Sequence, residues 1–177
     1  MTRNLSGTEL KRQHREWRRR PHERLALLLD GVQNPYNLGT ILRSAAAWGV
    51  AHLWLVGSPS PTDAKVQKTA LGSQKFLTWD HCDSTADAVS RVRAAGYRIV
   101  GVELAEGATP MHDTELTGDV CLALGHEDRG LSKELLATVD AITFLPQIGK
   151  IGSLNVGIAA AVAMYEVRRR EWDSPSA

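Results

Sequence analysis

The chain has 177 residues, which is enough for one domain with a full hydrophobic core. Its hydrophobic fraction of 43% and charged fraction of 23% are ordinary for a globular protein, and its formal net charge of +1 does not by itself indicate a nucleic-acid partner. Two cysteines, Cys82 and Cys121, are too few for a disulfide framework and too far apart for a CxxC metal clip.

Positive charge is concentrated at the two ends of the chain. Residues 1–24 hold eight of the 21 basic residues, and Arg168, Arg169 and Arg170 lie near the other end. No apolar run follows the basic N-terminal segment, and no segment has the length and apolarity of a transmembrane helix, so the sequence predicts a cytoplasmic protein without a membrane partner. We expect three parts: a basic N-terminal helix or arm at 1–23, the main domain at 24–172 and a short disordered tail at 173–177.

Short apolar runs alternate with amphipathic stretches along the main domain. In the first half they predict a buried strand at Leu25–Asp30, a helix at Asn37–Trp48 that is closed by Gly49, and a second strand at His52–Val56. A short helix at Lys65–Leu71 and a short strand at Phe76–Trp79 follow. In the second half they predict a helix at Thr85–Ala95 capped by Ser84, a strand at Tyr97–Glu103, a loop at Glu106–Leu116 and a strand at Asp119–Leu124. A helix at Lys133–Val139 capped by Ser132, a strand at Ala141–Leu145 and a long helix at Ser153–Trp172 follow. Strands that alternate with helices and are apolar throughout indicate an α/β fold, with a mainly parallel sheet and helices on both faces.

Three glycine-containing loops follow predicted strands, where parallel α/β proteins bind their ligands. They are DGVQNPYNLGTILR at residues 30–43, LGHEDRGLS at 124–132 and PQIGKIGSLN at 146–155. They contain no GxGxxG, P-loop, HExxH or GxSxG motif, so the common nucleotide, zinc-protease and hydrolase sites are unsupported. Taken singly, their polar residues have ordinary explanations. Asn37, Ser153 and Asn155 could be helix caps, Arg43 a surface arginine and Glu127 a member of a local pair.

Taken together, the three loops resemble in order and spacing the three motifs of the SpoU/TrmH branch of the SPOUT methyltransferases. NPYNLGTILRSA resembles the first motif, with Asn37, Gly39 and Arg43 in its N-x-G-x-x-x-R core. LALGHEDRGLS resembles the second motif and FLPQIGKIGSLNVGIAAAVAMYE the third. The resemblance covers about residues 25–170, and three motifs in order are much more specific than any one of them.

The resemblance implies a C-terminal deep trefoil knot, a homodimer, and S-adenosyl-L-methionine as methyl donor, with no metal. It implies cofactor contacts at Leu124, Gly125, Leu145, Ile148 and Leu154. It also implies catalytic or substrate-binding roles for Asn37, Arg43, Glu127, Ser153 and Asn155. We interpret Arg43 as a phosphate clamp that stabilises a developing alkoxide, because a guanidinium is not readily deprotonated and is a poor base.

The implied reaction is methyl transfer to a ribose 2′-hydroxyl of RNA. The N-terminal arm is too short to be a separate RNA-binding domain, so we expect transfer RNA as the substrate, with guanosine as the first choice of target. Phosphate contacts are then expected from Arg12, Arg15, Arg18, Arg19, Arg20 and Arg168. The alternatives are a ribosomal-RNA methyltransferase and a knotted homodimer that binds RNA without catalysis, and the basic N-terminal run could equally be a solvated helix.

Overall fold

The computed structural model describes residues 2–173, so residues 174–177 of the predicted tail lie outside the described part. The first half contains α1 (Gly7–Arg18), β1 (Leu25–Asp30), α2 (Pro35–Trp48), β2 (His52–Val56), α3 (Ala64–Ala70) and β3 (Trp79–Cys82). The second half contains α4 (Thr85–Ala94), β4 (Arg98–Val102), β5 (Thr109–Pro110), β6 (Val120–Gly125), α5 (Lys133–Leu136), β7 (Ala141–Phe144) and α6 (Val156–Asp173).

The seven strands form one sheet in the order β3-β2-β1-β6-β4-β7-β5, and every neighbouring pair within residues 2–173 is parallel. All six residues of β1 are buried, as expected for a central strand that is covered on both faces. Leu25, Leu27 and Leu29 pack on the face covered by α2, α3 and α6, whereas Ala26 and Leu28 pack on the face covered by α4 and α5. The predicted α/β class and the two helical layers are therefore confirmed.

Strand order places the candidate loops together. From β1 the chain adds β2 and then β3 on one side of β1, and it crosses to the other side for β6 and β4. Ligands of parallel sheets bind where the strand order reverses in this way, outside the carboxyl ends of the strands. The loops after β1, β6 and β7 all leave this edge. Strand pairing does not define threading, so the trefoil knot stays a prediction.

Some predicted elements differ from the structure. The predicted strand Phe76–Trp79 is wrong: Ser73–Phe76 is a 3-10 turn, and β3 begins only at Trp79. Leu71 (φ 51°) and Gly72 (φ 81°) adopt left-handed conformations that end α3 and redirect the chain before the turn. β5 was not predicted, since a two-residue strand has no periodicity to detect.

Helix boundaries also differ by a few residues. Ser132 caps α5 as predicted, but the helix ends at Leu136 and is shorter than expected. α6 begins at Val156, after a segment without regular secondary structure that includes Ser153. The predicted N-terminal helix is present as α1, with a capping box between Ser6 and Glu9, and none of its residues is buried. Within residues 2–173, no helix combines the length and apolarity that crossing a bilayer requires.

Candidate active site

Three polar side chains, one from each motif loop, form a continuous chain of hydrogen bonds at the carboxyl edge of the sheet. The Nδ2 group of Asn155 donates to Oδ1 of Asn37 over 2.8 Å. The Nδ2 group of Asn37 in turn donates to Oε1 of Glu127 over 3.0 Å. We call Asn155, Asn37 and Glu127 the amide–carboxylate chain. It joins the loop after β6 to α2 and to the start of α6.

Asn37 is available for this chain because another residue caps its helix. Oδ1 of Asn34 accepts the N–H of Tyr36 over 2.9 Å, which makes Asn34 the N-cap, and Pro35 occupies the first turn. The expectation that Asn37 caps α2 is therefore wrong. Asn37 lies inside the first turn and is buried, 9% exposed, so its amide needs polar partners within the protein.

Asn155 combines a capping role with the contact to Asn37. Its Oδ1 accepts hydrogen bonds from the N–H groups of Gly157 (2.9 Å) and Ile158 (3.3 Å). Asn155 therefore caps α6, which was the ordinary explanation considered for it in the sequence. Its Nδ2 remains free to donate to Asn37. An aspartate could cap the helix but could not donate. The side chain thus fixes the first turn of α6 relative to α2.

Glu127 is the acceptor at the end of the chain. It also accepts the backbone N–H groups of Gln33 (3.2 Å) and Asn34 (3.0 Å). Burial raises the pKa of Glu127, but the hydrogen bonds from Asn37 and the backbone outweigh burial and lower its pKa below the ordinary value. Glu127 is therefore ionised at neutral pH. Because a carboxylate only accepts, the NH2 group of Asn37 must face it, and this sets the direction of both amides.

Arg43 and Ser153 lie apart from the amide–carboxylate chain. Arg43 follows Asn37 by six residues, which places it about 9 Å along the helix axis and on a different side of α2. Both side chains are exposed, and neither makes a hydrogen bond or ion pair with the described residues. Their polar groups are thus available to an external ligand.

A cavity of about 570 Å³ lies beside Glu127, between the loops after β4, β6 and β7. Of the predicted cofactor contacts, it is lined by Leu124, Gly125, Leu145 and Leu154, and the predicted catalytic residues Glu127 and Ser153 also line it. Ile148 does not. Its side chain is fully exposed to solvent, so the structure does not place it over a bound adenine.

The glycines of the second motif have a structural explanation. A Cβ atom on Gly125 would overlap the backbone of Gly130 and Leu131, and Gly130 itself has a positive φ of 67°. The loop between them closes on itself through paired backbone hydrogen bonds between His126 and Gly130. These glycines let the protein backbone, and not only a ligand, approach closely.

Two residues that line the cavity were missed by the sequence reasoning. Glu103 and Leu104 follow β4, whose carboxyl end lies next to that of β6. Glu103 accepts the N–H groups of Leu131 (3.1 Å) and Leu104 (3.0 Å), and so braces the wall of the cavity. The signal was present, because the run YRIVGVE ends in a carboxylate where a predicted parallel strand ends.

The cavity fits a ligand such as S-adenosylmethionine, which combines a flat adenine, a ribose and a cationic methionine moiety. Leu104, Leu145 and Leu154 form an apolar part of the cavity wall. Within the described residues, the backbone N–H groups of 145–154 donate no hydrogen bond to protein, which leaves donors for a polar ligand. The ionised Glu127 gives the polar side of the cavity a negative charge. Residues 2–173 contain no cluster of three His, Cys, Asp or Glu side chains suited to a metal ion.

The predicted phosphate contacts divide into two groups. Arg12, Arg15, Arg18, Arg19 and Arg20 are all exposed on or just after α1. Arg168 is buried, 4% exposed, and its guanidinium donates to Glu171 and to the backbone carbonyls of Glu23, Trp48 and Gly49. The prediction that Arg168 contacts RNA is therefore corrected: this arginine is a structural brace.

The part of the chain that contains the three motif loops is also the part that matches known proteins. A model of the SpoU rRNA Methylase family matches residues 24–165. The chain is 34% identical over 159 residues to a 23S rRNA (guanosine-2′-O-)-methyltransferase of Coxiella burnetii, covering 86% of this chain and 61% of that protein. It is 30% identical over 153 residues to a tRNA (guanosine(18)-2′-O)-methyltransferase of Escherichia coli, covering 86% and 66%. The chain thus spans less than two thirds of either relative.

A solved structure agrees with these sequence matches. The SpoU methyltransferase AviRb of Streptomyces viridochromogenes, in complex with the cofactor AdoMet, superposes with a TM-score of 0.78 at 28% identity. The match covers 90% of this chain and 65% of the other.

Proposed function

The chain belongs to the SpoU rRNA Methylase family, and on that premise we propose that it transfers a methyl group from S-adenosylmethionine to a ribose 2′-hydroxyl of RNA. The family match confirms the resemblance seen in the three motifs. The observation that carries the proposal is the amide–carboxylate chain beside a cavity of suitable size, because it joins all three motifs at one edge of the sheet.

The residues present could hold the cofactor. Leu104, Leu145 and Leu154 would contact the adenosine, and the free backbone N–H groups of 145–154 would bind its polar atoms. The structure of AviRb, a relative with a similar fold, is a complex with the cofactor AdoMet, which supports this assignment. The bound cofactor would supply an electrophilic methyl group.

The protein's own groups then have separate roles. The amide–carboxylate chain positions α2 and α6, because its atoms are engaged with each other. Arg43, exposed and without a partner among the described residues, would bind an RNA phosphate and stabilise negative charge as the 2′-hydroxyl loses its proton. Ser153 offers an exposed hydroxyl at the rim of the cavity, where a ribose could be oriented.

We infer that transfer RNA is the substrate and guanosine the modified nucleoside. Both curated relatives named above act on guanosine, one in transfer RNA and one in ribosomal RNA. The exposed arginines of residues 1–24 suit the phosphate backbone of RNA. Ribosomal RNA is the second candidate, favoured by the higher identity to the Coxiella burnetii relative.

The proposal includes a homodimer in the cytoplasm. Ile158, Val162 and Tyr165 lie along one side of α6 at helical spacing and are each more than 40% exposed. Tyr36 of α2 and Leu154 before α6 are further exposed apolar side chains of the same regions. Exposed apolar side chains at regular spacing on a helix favour burial against a partner, and a second copy would supply the same stripe.

The test is transfer of labelled methyl from S-adenosylmethionine to total transfer RNA and, separately, to ribosomal RNA, with nuclease mapping of the product. Label in one guanosine of transfer RNA is the expected result. Label in ribosomal RNA alone would overturn the substrate. Cofactor binding without label in either RNA would contradict the proposed acceptor, and absence of both would favour a dimer that binds RNA without catalysis.

A further inference from the structure

A groove of about 670 Å³ lies on the basic end of the molecule, away from the cavity described above. It is formed by α1, the end of α2 and the end of α6. Three of the chain's five tryptophans line it: Trp17, Trp48 and Trp172. The groove is not needed to explain the methyl-transfer site, and none of its lining residues belongs to the three motifs.

The aromatic rings of the groove form one connected cluster. The ring centroids of Trp17 and Trp172 are 5.0 Å apart, and those of Trp48 and Trp172 are 6.2 Å apart. Tyr165, which does not itself line the groove, extends the cluster: its ring centroid is 5.5 Å from that of Trp48 and 6.0 Å from that of Trp172. Trp17 remains 41% exposed, although burial of its large apolar ring would be favourable. The cluster is therefore packed within itself and still presents aromatic surface to solvent.

Basic side chains line the groove around these rings. Arg18, Arg20, Arg168, His14 and His22 line the groove, and Glu171 is the only acidic side chain that lines it among residues 2–173. Glu171 is already paired with Arg168 at 2.8 Å. Residues 1–24 carry eight basic and three acidic residues, which gives them a formal charge of +5, whereas the remaining residues sum to −4. The groove thus suits a ligand that is both anionic and flat.

The guanidinium of Arg20 lies 3.8 Å from the centre of the Trp17 ring. A planar group therefore already stacks on one face of this ring, as cation–π geometry favours. A nucleobase can stack on the same guanidinium or replace it, because both bind through their flat faces. Displaced from the ring, Arg20 would be free to bind the flanking phosphate.

We propose that this groove binds unpaired nucleobases of the RNA substrate, with Trp17 as the stacking platform and Arg18 and Arg20 as phosphate contacts. The proposal rests on the proposed RNA substrate and adds a second recognition site remote from the methyl-transfer cavity. Aromatic rings that alternate with basic side chains are the recurring means of binding single strands, whereas a duplex offers only its charged backbone to such a surface.

The experiment measures binding of the full chain to a labelled twelve-nucleotide single-stranded RNA and to a blunt RNA duplex of equal length, by fluorescence anisotropy at several salt concentrations. Trp17→Leu is expected to weaken single-strand binding by about 5- to 100-fold, to leave duplex binding and the salt dependence unchanged, and to be largely rescued in Trp17→Phe. Phe76→Leu, which removes an exposed aromatic ring elsewhere, should have no effect. Arg18→Gln with Arg20→Gln should reduce the salt dependence for both RNAs.

Each other outcome contradicts the proposal. Equal loss of single-strand and duplex binding in Trp17→Leu would mean that Trp17 only anchors α1, and no loss would mean that the ring does not touch RNA. Displacement of RNA by a proline-rich peptide would make the groove a protein-docking site. Calorimetric titration with S-adenosylmethionine separates the two proposals. If the unaltered chain binds the cofactor and transfers methyl groups, but Trp17→Leu does not change RNA binding, only the proposal for the groove is overturned. If the unaltered chain binds neither the cofactor nor RNA, both proposals are overturned.

Discussion

Asn37 uses both a donor and an acceptor in one side chain, since it donates to the carboxylate of Glu127 and accepts from the amide of Asn155. Replacing it with alanine leaves Glu127 with its two backbone donors only. We expect Asn37→Ala to raise the pKa of Glu127 and to lower the free energy of unfolding by about 1–3 kcal/mol at pH 7. Urea denaturation at pH 7 and below pH 4 measures both effects.

The sign of the pH dependence follows from the lowered pKa of Glu127. A carboxylate with a lowered pKa stabilises the folded state above its unfolded pKa, near 4.5, and this contribution is lost as pH falls through the folded value. The difference between the unaltered chain and Asn37→Ala should therefore shrink in acid. Asn34→Ala, which removes a neighbouring cap without removing a side-chain donor to Glu127, should cost about 1 kcal/mol at both pH values. A pH-independent loss in Asn37→Ala would contradict an ionised Glu127.

Arg43 is expected to act on the reaction and not on stability. Arg43→Gln should change the free energy of unfolding by less than about 0.5 kcal/mol, because the side chain is exposed, and should lower kcat about 100-fold. Arg43→Lys should keep part of the activity with an unshifted pH profile. A strongly shifted pH profile in Arg43→Lys would identify Arg43 as a base and would contradict its role as a phosphate clamp. Arg91→Gln on α4, an exposed arginine that is paired with Asp87 and lies outside the three motifs, is the control.

The residues of the site were predictable mainly through their motifs. Pattern alone favoured Asn37 as a helix cap, because Asn is common at that position and the sequence offers Asn34 and Asn37 within one turn. Only the structure shows that Asn34 caps and Asn37 faces Glu127. The wrong expectation for Ile148 and the omission of Glu103 have the same physical cause. Which side of a loop faces a cavity depends on contacts between distant strands, and these contacts are not visible in the sequence.

At the scale of helices and strands, the apolar runs of β1, β2 and β6 were easily predicted because these strands are buried on both faces. The basic run at the end of α6 was misinterpreted for the opposite reason. Three consecutive arginines indicate charge but not direction, and successive helical residues point to different sides. Arg168 points inwards to the end of α2, where the carbonyls of Trp48 and Gly49 need donors.

Arg168→Met is therefore expected to be strongly destabilising. The change leaves Glu171 and three backbone carbonyls without their buried donor, so the free energy of unfolding should fall by about 3 kcal/mol in urea denaturation. Arg169→Met, which removes half-exposed ion pairs with Glu166 and Asp173 on the same helix, should cost under about 1 kcal/mol. Equal effects of the two changes would contradict the structural role of Arg168.

At the scale of the whole molecule, the apolar and polar patterns indicate one α/β domain, whereas a homodimer and a knot are expected only from the family resemblance, since assembly and threading depend on surfaces and paths that no local pattern encodes. The exposed stripe on α6 makes the assembly testable. Val162→Glu should convert a dimer into a monomer in light scattering, because it places a charge within the apolar interface. Ala86→Glu, on α4 of the opposite face, should leave the mass unchanged. A monomer in the unaltered chain would contradict the proposed homodimer.

The methyl group that this protein transfers is expected to reach a ribose oxygen. Methylation of a 2′-hydroxyl removes the internal nucleophile that cleaves the adjacent phosphodiester in alkali, whereas methylation of a base does not. Transfer RNA labelled by this protein should therefore be digested with alkali and its products separated. Recovery of the label in one alkali-stable dinucleotide is the predicted result, and recovery in mononucleotides would contradict it.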